Sequence, residues 1–280
     1  MLTPIICGVI LLLLYVMLSM AEKNKRQRKR ERQLYGLSVL RSGLGLLTNV
    51  QQHRGISAAL LNGDQSFAAR QIDKRNEIQE IFRNLESLLM ATPELRSDAD
   101  SLSALRREWD GMSSAIGNLL PEQSFSRHTA LIRMIIHLLG DMGEHLGLLD
   151  GEGTPFAQLA NTLLLKLPLL MESIGQARAL GSGYAAKGQC GAVGRIRMSF
   201  LAQHIGECQH GIRASMTEQP HAMQRVNALL GVLNERFIDA ESVDIAPDVF
   251  FRTATEAIES CLGLWQDIAN KTGELIGVGN

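Results

Sequence analysis

The sequence is poor in the residues that build sheets. Proline occurs 7 times in 280 residues and aromatics make up only 5%. Few β-branched runs interrupt a background of Leu, Ala, Gln, Glu and Arg, which favours helix over strand. Cysteine is scarce too: Cys7, Cys190, Cys208 and Cys261 are the four. The last three share no Cys-x-x-Cys spacing and cannot all pair within one chain, which fits a reducing compartment. Neither sign of charge is in excess. A net charge of −1 lacks the basic surface of a nucleic-acid binder, so nucleic acid is not an expected partner. Catalytic signatures are missing as well: no Gly-x-Ser-x-Gly elbow, phosphate loop, His-Glu-x-x-His or Rossmann fingerprint. The chain reads as a non-enzyme with no cofactor.

What is present begins with an apolar run. Residues 4–21 read PIICGVILLLLYVMLSMA, without a charge. At about 1.5 Å per residue of helix this nearly crosses a hydrocarbon core of about 30 Å. A basic stretch follows directly: Lys23, Lys25, Arg26, Arg28, Lys29, Arg30 and Arg32. A secretory signal carries its charges before the apolar run, so this order favours a retained anchor. The excess of positive charge after the run places the rest of the chain in the cytoplasm. Residues 1–33 are therefore expected to be a transmembrane anchor with a basic juxtamembrane segment.

Beyond it the pattern is helical throughout. Leu34, Leu37, Leu40, Leu44, Leu47 and Gln51 recur at steps of three and four, one face of an amphipathic helix. This helix is expected to continue from the membrane to about Leu61. Asn62-Gly63-Asp64 is a turn, and Asp64 or Ser66 would cap the next helix. A second helix is expected to about Met90, a third over Ser97–Leu119 and a fourth over Ser124–Leu149. Asp150-Gly151-Glu152-Gly153 then breaks the chain. A fifth is expected over Pro155–Ala186 with a kink at Pro168, a sixth over Ala192–Met216, a seventh from Pro220 to Phe237 and an eighth over Val249–Leu275. Eight helices with short connections imply an all-α fold of two stacked up-down four-helix bundles.

Two segments of these helices look alike. GlnGlnHisArgGlyIleSerAlaAla starts at Gln51 and GlyGlnAlaArgAlaLeuGlySerGly at Gly175. Each sets one arginine, Arg54 or Arg178, among small residues that allow close helix approach. Facing guanidinium groups repel unless an anion lies between them, and the planar arginine fork suits a small planar oxyanion. Ser57, Ser182, Gln52 and Gln176 would supply neutral donors. The alternative is that each arginine pairs with a carboxylate such as Glu144 or Glu172. His204 with Cys208, and His137 with His145, have spacings that metal ligands use, but nothing completes either set; no metal is expected. Glycines at Gly36, Gly43, Gly45, Gly175 and Gly181 cost about 1 kcal/mol each in helices, a cost that close helix contact commonly offsets.

The first segment resembles the signature of the nitrate- and nitrite-sensing (NIT) domain family, a Gln-x-x/Glu-Arg-Gly-x-Ser pattern. The second resembles that family's other arginine-bearing segment. The likeness runs from about Leu34 to Leu275, so residues 34–280 are expected to form a NIT-like sensor. It implies paired helical bundles that hold nitrate or nitrite between arginines, with Arg54 and Arg178 as ligands here. One departure is His53, which stands where the family usually has Glu. Such sensors usually carry an output module, and none fits after the eighth helix. Taken with the apolar run and its basic flank, the resemblance implies a bacterial single-pass sensor in the inner membrane. Its expected partners are a nitrate or nitrite anion, the membrane through residues 4–21, a second copy of the chain and a separate signalling protein. A helical scaffold with no ligand is the competing reading.

Overall fold

The computed structural model describes residues 2–150, 154–214 and 221–278, with side chains from Ile10 onward except those of Pro155 and Val278. Residues 151–153 of the expected break at Asp150–Gly153, the expected helix end at Met216 and the expected helix start at Pro220 lie outside the described residues. The elements are α1 (Leu2–Leu61), α2 (Ala68–Ala91), α3 (Asp98–Ala115), α4 (Pro121–His145), α5 (Pro155–Asn161), α6 (Leu167–Lys187), α7 (Ala192–Ala214), α8 (Ala222–Leu233) and α9 (Pro247–Val278). No strand occurs among the described residues. The fold is all-α.

Turn chemistry sets the boundaries. Asp64 accepts from the Ser66 backbone N–H at 3.1 Å, beside Gly63 at φ +103°. Gly188 ends α6 in the left-handed region at φ +64°, where a side chain would be strained. Pro168 does more than kink its helix. The expected fifth helix divides there into α5, a π-helical turn over Thr162–Lys166, and α6. Proline offers no N–H and its ring crowds the carbonyl four residues back, so the ladder widens just before it.

α1 to α4 pack in sequence order, with α1 closing on α4, around Phe82, Trp109 and a leucine-rich core. α6 to α9 do the same around Phe237, Phe250 and Trp265, the first two rings 4.7 Å apart. Each set is a four-helix bundle, and α1 and α4 of the first meet α6 and α9 of the second. Small residues permit close approach within and between the bundles. A Cβ at Gly43 would come within 2.6 Å of Leu139, and one at Gly143 within 2.3 Å of Leu164. Gly181 is similarly pressed by Phe250 at 2.3 Å, whereas Gly45 faces open space.

α1 runs unbroken from Leu2 to Leu61. Its stretch 10–20 projects apolar side chains on every side, from Leu11 at 67% exposed to Met20 at 60%. Among the described residues no helix is long and apolar enough to cross a membrane. The first six residues of the expected span, 4–9, lie outside the described side chains.

Candidate functional site

Helix α1 carries Arg54 inward because its buried stripe, Leu40, Leu44, Leu47 and Gln51, returns every three or four residues. Arg54 is 2% exposed. Its guanidinium forks onto the Glu172 carboxylate of α6: Nη1 donates to Oε1 at 2.6 Å and Nη2 to Oε2 at 3.1 Å. Nη1 also donates to Thr129 Oγ1 of α4 at 3.1 Å. Gln51 donates to Glu172 Oε2 and Gln176 to Oε1, each at 2.9 Å. Each carboxylate oxygen thus accepts two hydrogen bonds, and the buried anion is fully satisfied. The Phe125 ring lies 5.4 Å from the guanidinium carbon. Gly175 leaves the room for this, since a Cβ there would sit 2.8 Å from Arg54 Nη2.

Arg178, two turns further along α6, is treated differently. It is 9% exposed. Nη1 donates to Thr255 Oγ1 of α9 at 3.0 Å, and the Phe251 ring lies 4.9 Å from its guanidinium carbon. Among the described residues no carboxylate lies within ion-pair distance of it. Burial, and then the charge of Arg54, push its pKa down to about 10, against the pull of Glu172 and Glu259. The positive charge of Arg54 thus disfavours the charged form of Arg178. One turn beyond Arg178, the buried hydroxyl of Ser182 has no hydrogen-bond partner among the described residues.

The structure sorts the expected ligands. Arg54 and Gln176 meet at Glu172, so of the two arginines Arg54 takes the carboxylate pairing and Arg178 does not. Gln52 is exposed, and its neighbour Gln51 reaches the cluster instead. Ser57 is buried but lies 3.3 Å from the Nδ1 of His53. Thr129, Thr255 and Phe251 carry no signal next to the motifs, because they arrive from α4 and α9. Glu144 stays apart from both arginines; its neighbour His145 bonds Asp98 at 2.9 Å, joining α4 to α3.

His53 takes part in a second buried cluster. His128 Nδ1 donates to the Ser124 carbonyl at 2.7 Å, so its Nε2 must accept. His53 Nδ1 donates to that Nε2 at 2.8 Å, and Gln71 donates to His53 Nε2 at 3.0 Å. This one-way chain requires both imidazoles to be neutral. Burial, and then Arg75 and Lys74, lower His53 to about 4; burial lowers His128 well below its ordinary value. Trp109 stands edge-on to the His53 ring at 4.8 Å. The histidine thus sits where α1, α2, α3 and α4 converge, not against Arg54's anion.

Among the described residues no three His, Cys, Asp or Glu side chains gather to hold a metal. The site's chemistry is that of donors and buried positive charge.

No curated protein matches the chain. A solved structure of the NasR transcription antiterminator shares the fold with a TM-score of 0.71 at 15% identity, over 94% of this chain and 75% of that one. The family model described as nitrate and nitrite sensing matches residues 45–272, a span that holds both arginine segments, and the chain belongs to that family, NIT.

Proposed function

We propose that the chain binds one nitrate or nitrite ion at Arg178, beside the Arg54–Glu172 pair, and reports its presence through the helix that bears Arg54. The observation that carries this reading is the unequal treatment of the two arginines. Arg54 is neutralised by a buried carboxylate, while Arg178 is buried with a single hydroxyl and an aromatic face. A buried cation without a counter-ion is costly, and a small anion relieves it. Arg178 has donors free of Thr255, and the Ser182 hydroxyl has no partner among the described residues; these are groups suited to oxyanion oxygens. The family's description, nitrate and nitrite sensing, gives the ligand class.

The bound anion screens Arg178 from Arg54, and this relief favours one arrangement of α6 against α1 and α9. α1 would carry that shift outward, being one helix from Arg54 to the N-terminal apolar run. We read that run as a membrane anchor. Eleven consecutive residues from Ile10 to Met20 are exposed, ten of them large and apolar or aromatic, a surface that water disfavours and lipid accepts. The basic residues from Lys23 to Arg32 follow it, which sets the sensor on the cytoplasmic side. Output passes to a separate protein in this reading, or to a second copy of the chain.

Calorimetry on the full chain with nitrate, nitrite and chloride tests the ligand. Saturable binding of one nitrate or nitrite per chain, with chloride far weaker, is expected. Heats no larger with nitrate than with chloride would end the reading. For the anchor, alkaline carbonate extraction of membranes should leave the full chain in the pellet, and release into the supernatant would contradict it.

A further inference from the structure

Three charged side chains lie buried at the contact of the two bundles: Arg54 at 2% exposed, Glu172 at 3% and Arg178 at 9%. Their formal sum is +1. Glu259, the other carboxylate that acts on Arg178, is exposed, so water screens it. Glu172 is not free to leave. Both of its oxygens are saturated by Arg54, Gln51 and Gln176, and a carboxylate pulled from such donors in a dry interior would be stranded.

We infer that Glu172 is a specificity-determining residue that fixes the charge of the ligand: by holding Arg54 neutral, it leaves a site that accepts one negative charge and rejects two. The inference rests on the oxyanion reading above. A monoanion brings the buried charge to zero. A dianion of similar donor preference, such as sulfate, leaves an uncompensated negative charge in the interior and meets the Glu172 carboxylate besides. Discrimination between small oxyanions of similar hydrogen-bonding character then comes from charge balance, a term that is large where water is excluded.

The test is a comparison of nitrate and sulfate titrations, at equal ionic strength, on three full-length proteins. The wild type is expected to bind nitrate and to hold sulfate at least about tenfold more weakly. Glu172→Gln, which keeps the shape and removes the charge, is expected to narrow that ratio by about tenfold or more, because sulfate then meets two unpaired arginines. The double variant Arg54→Met with Glu172→Met deletes the pair together and leaves the site at +1. It is expected to keep the wild-type preference, and it tests the inference even if Glu172→Gln fails to fold. An unchanged ratio in folded Glu172→Gln overturns the inference, as does loss of the preference in the double variant or equal binding of sulfate by the wild type. In each of those cases nitrate still binds. Absence of nitrate binding by the wild type overturns instead the oxyanion reading beneath it.

Discussion

Gly175 on α6 gives Arg54 of α1 its place: a Cβ at that glycine would lie 2.8 Å from Nη2 and 3.5 Å from Gln51 Nε2. The guanidinium cannot move away freely, since Glu172 and Thr129 hold it. Gly175→Ala is therefore expected to destabilise the chain by about 1–3 kcal/mol, as overpacking does, and to weaken nitrate binding as α6 is pushed outward. Denaturant unfolding with calorimetry on the same preparation checks both. A variant as stable as the wild type with unchanged affinity would mean that the close approach is not used.

The two arginines are expected to respond oppositely to truncation. Arg54→Met strands the Glu172 carboxylate among donors that no longer balance it, a loss on the order of 3–5 kcal/mol. Arg178→Met removes a cation that has no carboxylate partner, and is expected to change stability by less than about 1 kcal/mol, or to raise it. Unfolding midpoints in urea without nitrate measure the contrast. Equal losses for the two variants would show that Arg178 is paired as firmly as Arg54.

Acid is expected to loosen the first bundle. The folded-state pKa of His53 is about 4, below the ordinary 6.5, and burial also lowers that of His128 well below it. Between those values the unfolded chain binds more protons than the folded one. Stability is therefore full above about pH 6.5 and falls as the pH drops toward 4, by about 3 kcal/mol from His53 alone. His145 works the other way, since its bond to Asp98 raises its pKa, but it is more exposed and contributes less. Unfolding free energies of the wild type and of a His53→Gln, His128→Gln double variant, measured from pH 7.5 to 4.5, separate these terms. The wild type should lose more stability than the variant. Parallel curves would mean that the two imidazoles titrate freely.

Much of this fold is legible in sequence because it is written in short-range periodicity. Helix spans follow the leucine stripes, and Asn62-Gly63-Asp64 marks its turn. The division at Pro168 is legible as a disturbance, but its π-helical form depends on what the neighbouring carbonyls can reach. The site is legible on one side only. Arg54 and Arg178 stand out among small residues. Glu172, three residues before the second segment, is a nameable carboxylate partner, and it pairs with Arg54; Thr129, Thr255 and Phe251 are brought in by two other helices, and no local pattern marks them. The choice between Gln51 and Gln52 was open to a closer look at spacing. Gln51 continues the stripe of Leu44 and Leu47, while Gln52 is rotated by about 100°. The direction of the His53 side chain could not be read at all, because His128 lies 75 residues away.

Titration of nitrate into full-length Arg178→Gln, a variant that keeps a donor but loses the charge, tests whether Arg178 is the open cation that receives the anion. A loss of affinity of about tenfold or more is expected, with the unfolding midpoint in the absence of nitrate close to that of the wild type. Wild-type affinity in a folded Arg178→Gln protein would contradict the account.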